Sequence, residues 1–254
     1  MALPLYLAMT CAEFTSAAAL PPKIAWMACH FSPYGTGLSN LPDAMPENSL
    51  IILNDRIPIH GHQPEQILAQ LNACVKKQNA RGVLLDLQRP GAAETQMLAE
   101  VLVRELPCPV GVAEPYAADL DCPIFLPPAP LDVPLSDYLA PWQGREIWLE
   151  AALDCEEITV TSTGASRAHG FAPPELQHLD PALHCRYAIT LAQNHAKFTL
   201  CRTADTFPAL LEEAQALSVT MAVGLYQEFR AASGRCQFVH STAGIVTRPP
   251  ARYR

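Results

Sequence analysis

Polar side chains able to do chemistry stand in one recurring place along this chain, at the ends of short apolar runs. They are Glu13, His30, Asp55, Asp86 with Gln88 and Arg89, Glu114, Glu150, and Gln227 with Glu228. Several carboxylates with few cations suit sugar chemistry or a metal site better than phosphate binding. A chain surfaces at the end of every strand, so polar residues gather there in any fold, and the set says more than one member of it. Tyr34 lies in a loop of small polar residues, His30 to Leu41, where its ring could face the apolar side of a pyranose. Tyr116 and Tyr226, each beside one of these ends, join the candidate binding residues.

A second constellation is His60-Gly61-His62, with His30 and Asp55 at neighbouring run ends. His-x-His puts two imidazoles on one side of an extended segment, as metal-dependent hydrolases do. This pair sits in a Pro/Gly loop before a helix, where solvated histidines are common. No metal is assigned, and a metal hydrolase using His30, Asp55, His60 and His62 stands as an alternative. Gly35-x-Gly37 is only a fragment of a dinucleotide fingerprint and Pro33 interrupts its turn, so no cofactor is expected. There is no GxSxG elbow and no P-loop.

These side chains need elements to hold them. The apolar runs are Leu3–Cys11, Ile24–His30, Leu50–Asn54, Gly82–Leu87, Val110–Glu114, Cys122–Leu126, Glu146–Ala151 and Val219–Tyr226. Eight is the number a (β/α) barrel uses, and near-continuous apolar runs suit parallel strands buried on both faces. Helices are signalled at 64–79 (Ile67, Leu68, Leu71, Val75), 93–106 (Met97, Leu98, Val101, Leu102) and 206–217 (Leu210, Leu211, Ala214, Leu217). The connections at 12–22 and 115–121 are too short for full helices, so the barrel is irregular. Residues 152–203 break the rhythm. Ile158–Thr163, Arg186–Leu191 and Lys197–Arg202 read as a small β-hairpin insertion between strands 7 and 8, with a turn at Gln193–Asn194. The expectation is an irregular (β/α)8 TIM barrel over residues 1–229, followed by a loosely ordered basic tail, 230–254.

Composition narrows the function classes. The chain has 254 residues and a net charge of −8, from 17 basic and 25 acidic residues. The tail holds five arginines and no acid, so the body carries 12 basic against 25 acidic residues, or −13. Nucleic acid is therefore not an expected partner, and no apolar run approaches the ~18 residues of a membrane helix. The N-terminal MALPLYLAMTCAEF reads as a first strand, since no Lys or Arg precedes its apolar stretch. The nine cysteines include no CxxC, and most lie in apolar runs such as Trp26–Cys29. They read as small buried hydrophobes kept reduced, which implies a cytoplasmic address.

The stretch Asn72–Pro90, NACVKKQNARGVLLDLQRP, resembles the signature of glycoside hydrolase family 18, whose fourth strand reads DGxDxDxE. Gly82 and Val83 match its Gly and following apolar residue, Leu84 replaces the first inner Asp, and Asp86 matches the second. Gln88 stands where the family has its catalytic Glu. HCRYAI (184–189) and AKFTLCRTADTFPALLEEAQALSVTMAVGLYQEF (196–229) are similar to the hairpin, last helix and eighth strand of spore-associated members. The resemblance implies an N-acetylglucosamine-type glycan held at the barrel mouth. In that family the substrate's own acetamido group attacks, the Glu protonates the leaving oxygen, and the Asp two residues earlier orients the acetamido. Asp86, Gln88 and Glu114 are thus the candidate catalytic residues. Gln88 cannot deliver a proton, and IFLPPAP (124–130) lacks the family's Met-x-Tyr-Asp. Either the site binds glycans without cleaving them, or another acid, Glu114, Glu150 or Glu228, takes over. A non-enzymatic interaction protein using the basic tail is a further alternative.

Overall fold

The structure, a computed structural model, describes residues 2–35, 37–59, 61, 63–89, 93–170 and 176–230. His60, His62 and the tail beyond Arg230 lie outside the described residues. The chain opens with β1 (Leu5–Met9), α1 (Cys11–Ser16), β2 (Ile24–Phe31) and the short β3 (Leu38–Ser39). It continues with β4 (Leu50–Asn54), α2 (Pro64–Gln78), β5 (Gly82–Asp86), α3 (Ala93–Glu105), β6 (Val110–Ala113) and α4 (Glu114–Ala117). Then come β7 (Ile124–Leu126), α5 (Leu135–Leu139) and β8 (Ile147–Glu150). Five inserted strands follow: β9 (Cys155–Thr161), β10 (Gly164–His169), β11 (His178–Asp180), β12 (Cys185–Ala192) and β13 (His195–Cys201). The chain returns through α6 (Phe207–Ala216), β14 (Val219–Leu225) and α7 (Tyr226–Arg230).

Eight parallel strands run in the order β1-β14-β8-β7-β6-β5-β4-β2, and β1 also pairs with β2, which closes the ring. This is a (β/α)8 TIM barrel whose strands coincide with the eight apolar runs. It is irregular where expected, with six residues in α1 and four in α4. Alternate strand residues face opposite ways. One set, including Tyr6, Ala25, Leu50, Ile52, Leu84, Phe125, Trp148 and Val223, fills the barrel. The other set, including Ile51, Leu53, Val83 and Leu85, packs with Ile67 and Leu71 of α2, Leu98 and Leu102 of α3, and Leu210 of α6. Both faces being dry explains why the strands read as continuous apolar runs. One helix is rotated from expectation: Met97 is 57% exposed, and α3 instead buries Thr95, Leu98, Ala99 and Leu102.

Trp148, 1% exposed, is the largest side chain in the interior, and β6 makes room for it. A Cβ on Gly111 would come within 2.2 Å of the indole Cε3. The indole Nε1 donates to Glu146 at 3.3 Å, toward the N-terminal end of the strands.

The insertion is larger than a hairpin. It is a five-stranded antiparallel sheet in the order β10-β9-β13-β12-β11. Ile158, Phe198 and Ile189 align across β9, β13 and β12, so their face is apolar, and its lower half packs on Leu131 of the loop after β7. β10 and β11 escaped sequence reading because GASRAH and HLD are polar and mostly exposed, without the alternation that marks a half-buried strand. Arg167 of β10 pairs with Asp132 and, at 3.3 Å, with Glu156, tying the sheet to the barrel loop. The reading of every cysteine as reduced is corrected: Cys155 and Cys201 are disulfide-bonded. They are register partners 46 residues apart, a proximity that only the sheet creates.

Two expectations follow. Gly111→Ala drives a methyl into Trp148 and should lower stability by about 1–3 kcal/mol, seen as a reduced urea midpoint at unchanged slope. Peptide mapping without reductant should recover the Cys155 and Cys201 peptides as one linked species; two free peptides would contradict the bond.

Candidate functional site

The C-terminal mouth of the barrel follows from strand parity and register. Leu50 and Ile52 face inward, so Asn54 does too; Leu84 faces inward, so Asp86 follows it. Register pairs His30 with Asn54 and Asn54 with Asp86. His30, Asn54 and Asp86 therefore form one inward row across three adjacent strands. Trp148 and Val223 are interior, and Glu150, two residues beyond Trp148 and paired with Val223, faces the same space from β8.

Hydrogen bonds fix this row. Asn54 Nδ2 donates to the carbonyls of Met27 (3.2 Å) and Cys29 (2.9 Å), bridging the irregular register of β2. His30 Nδ1 lies 2.8 Å from the Phe31 carbonyl and its Nε2 lies 3.1 Å from Asn40 Nδ2. Gln88 Nε2 donates to Asp86 Oδ1 at 2.7 Å. Asp86 thus presents a carboxylate oriented by a neutral amide, with the Gln88 side chain exposed at the mouth. This pair can accept and donate hydrogen bonds to a neutral polar ligand, but neither the Gln88 amide nor any group bonded to it here supplies an acidic proton.

Asp55 does a different job. Its parity is opposite to Asn54, it is 8% exposed, and its Oδ2 accepts the backbone N–H of Gln88 (3.0 Å) and Arg89 (2.7 Å). The Arg89 Nε returns a bond to the Asp55 carbonyl at 2.8 Å, and Nη2 bonds the Arg56 carbonyl at 2.9 Å. Tyr116, 4% exposed, donates its hydroxyl to the Arg89 carbonyl from α4. Asp55, Arg89 and Tyr116 together brace the turn that carries Gln88. Exchange between strand ends, not ligand contact, is what their bonds show.

The remaining candidates scatter. Glu13 is the N3 residue of a capping box, its Oε2 accepting from the Thr10 N–H at 2.8 Å and hydroxyl at 2.9 Å. Glu228 accepts from the Leu153 N–H at 2.9 Å and so pins α7 to the loop after β8. Glu114 opens α4, exposed, one residue past the inward Ala113. Tyr226 and Gln227 lie in α7, Gln227 exposed. Tyr34 is 86% exposed on the loop after β2. His30 and Asp55, the described half of the metal alternative, face opposite sides of the barrel wall. Among the described residues no three His, Cys, Asp or Glu side chains come together as metal ligands, and no helix is long and apolar enough to cross a membrane. Sequence reading missed Asn54. Its signal was the spacing Leu50, Ile52, Asn54, a polar residue on the inward parity of a strand.

No protein-family model and no curated protein matches the chain. Solved structures do match in fold. The Bacillus cereus spore cortex-lytic enzyme SleL aligns over 91% of this chain and 74% of its own, with a TM-score of 0.55 at 8% identity. A chitinase from Chromobacterium violaceum aligns over 91% and 98%, with a TM-score of 0.54 at 11% identity. SleL from Bacillus megaterium gives 0.51 at 12% identity over 91% and 73%. At these identities the likeness is one of barrel fold.

Asp55→Ala strands two backbone donors and should cost about 1–3 kcal/mol, measured by urea unfolding. A variant as stable as the parent would show that the Gln88 turn does not depend on this carboxylate.

Proposed function

We propose that the chain is a glycoside-hydrolase-like barrel that binds an N-acetylglucosamine-type glycan at its C-terminal mouth without cleaving it. The observation that carries this reading is the 2.7 Å bond from Gln88 to Asp86, inside the row His30–Asn54–Asp86. An acetamido N–H needs a fixed acceptor, and Asp86 is one. The neutral Gln88 keeps the hydrogen-bonding reach of a glutamate and lacks its proton. The likeness in fold to enzymes named as a chitinase and as spore cortex-lytic supports the same ligand class. Tyr34 supplies an exposed ring beside the mouth for stacking on a sugar. Of the carboxylates offered as a replacement acid, Glu150 is the one whose strand parity turns it inward, so residual hydrolysis would be assigned to it.

The cytoplasmic address expected from cysteine usage rests on the six free cysteines among the described residues. The Cys155–Cys201 bond is the one disulfide among the described residues, and the cytoplasmic address is kept as our proposal.

Calorimetric titration with chito-oligosaccharides should show saturable binding to the parent chain, weakened about tenfold or more by Asp86→Ala. Absence of binding to any amino-sugar oligomer would overturn the reading. Gln88→Glu places a carboxyl beside Asp86, whose charge holds the new group protonated. Release of reducing ends is expected from that variant and not from the parent.

A further inference from the structure

The opposite end of the barrel holds a second feature, independent of the glycan reading. A cavity of about 240 Å³ opens between the strand starts, lined by Tyr6, Lys23, Arg81, Glu146, Trp148 and Thr220 among others. Lys23 precedes β2, Arg81 precedes β5, Glu146 precedes β8, and Thr220 is the second residue of β14. The deep wall is aromatic, formed by the buried Tyr6 and Trp148.

The charges around this cavity are not matched to one another. The Glu146 Oε1 accepts from the Thr220 hydroxyl at 2.9 Å and from the Trp148 indole at 3.3 Å. Among the described residues neither Lys23 nor Arg81 takes part in an ion pair. Lys23 Nζ instead lies 5.5 Å from the centre of the Tyr6 ring, at the cavity wall. The Arg81 charge reaches the Tyr6 phenol as well, opposing the rise that burial imposes on its pKa. Two cations and one carboxylate already engaged by two donors leave the cavity cationic, in a chain whose net charge is −8. Acidic groups are plentiful in this protein, yet among the described residues these two cations form no ion pair, not even with the Glu146 that shares their cavity.

We propose that this cavity binds a small molecule carrying a phosphate or carboxylate group, held between the Lys23 ammonium and the Arg81 guanidinium over the Tyr6–Trp148 wall. The volume suits a compact anion with a short organic body. Arg81 offers a planar fork to two oxygens, and Lys23 offers a point charge to a third.

Calorimetric titration of the whole chain with inorganic phosphate and, separately, with acetate at matched ionic strength tests this. Saturable one-site binding of either anion is expected, and which of the two binds tells phosphate from carboxylate as the source. Arg81→Gln and Lys23→Gln should each weaken it about tenfold or more, through the loss of charge-assisted hydrogen bonding. Both side chains are exposed, so the variants should keep the parent's thermal midpoint, which is measured alongside. Chito-oligosaccharide binding at the mouth should be unchanged in both. No saturable binding of phosphate or acetate, or binding that survives both substitutions, overturns the site.

Discussion

A closed parallel barrel must fill its own inside, and here that requirement falls on the contact between Trp148 and Gly111. The indole occupies the space that a side chain on β6 would take. Around it, Tyr6, Leu50, Ile52, Leu84 and Phe125 complete a dry interior from alternate strand positions. Once that interior is fixed, the parity of every strand is fixed with it. Each strand's last residues then point into the mouth or out toward the helices with no further freedom.

The consequence is clearest at two consecutive residues. Asn54 points in and bonds the carbonyls of β2, while Asp55 points out and holds the turn after β5. A shift of one residue would exchange their jobs. The Asp86–Gln88 pair depends on both: Asn54 is register partner to Asp86, and Asp55 grips the backbone of Gln88. Arg89 ties the same turn to the backbone after β4 and Tyr116 ties it to α4, so the mouth is held from behind by groups that do not face it. Rigid support behind an exposed polar pair is what a binding site for a neutral ligand needs.

Much of this was legible in the sequence. The eight barrel strands were visible because burial on both faces makes them continuous apolar runs, and α2 and α6 because one face of each is apolar at helical spacing. β10 and β11 were not, since their side chains meet solvent and carry no pattern. The ring of polar strand ends was visible as a set, but its division into inward and outward members was not. Asp55 looks as eligible as Asn54 until closure assigns parity, and Tyr116 looks like a ligand-binding residue until its hydroxyl is seen on Arg89. The Cys155–Cys201 bond depends on pairing across 46 residues, which no local spacing records. Met97 went astray for a smaller reason, a rotation of α3 that moves Thr95 and Ala99 inward in its place.

The central claim is that glycan contact is concentrated where β2, β4 and β5 end. Hydrogen–deuterium exchange, with and without a saturating chito-oligosaccharide, measures this directly across the backbone. Added protection is expected at His30–Phe31, Asn54–Asp55 and Asp86–Arg89, with none at the strand starts around Lys23 and Arg81. Protection confined to the strand starts, or to the inserted sheet alone, would contradict it.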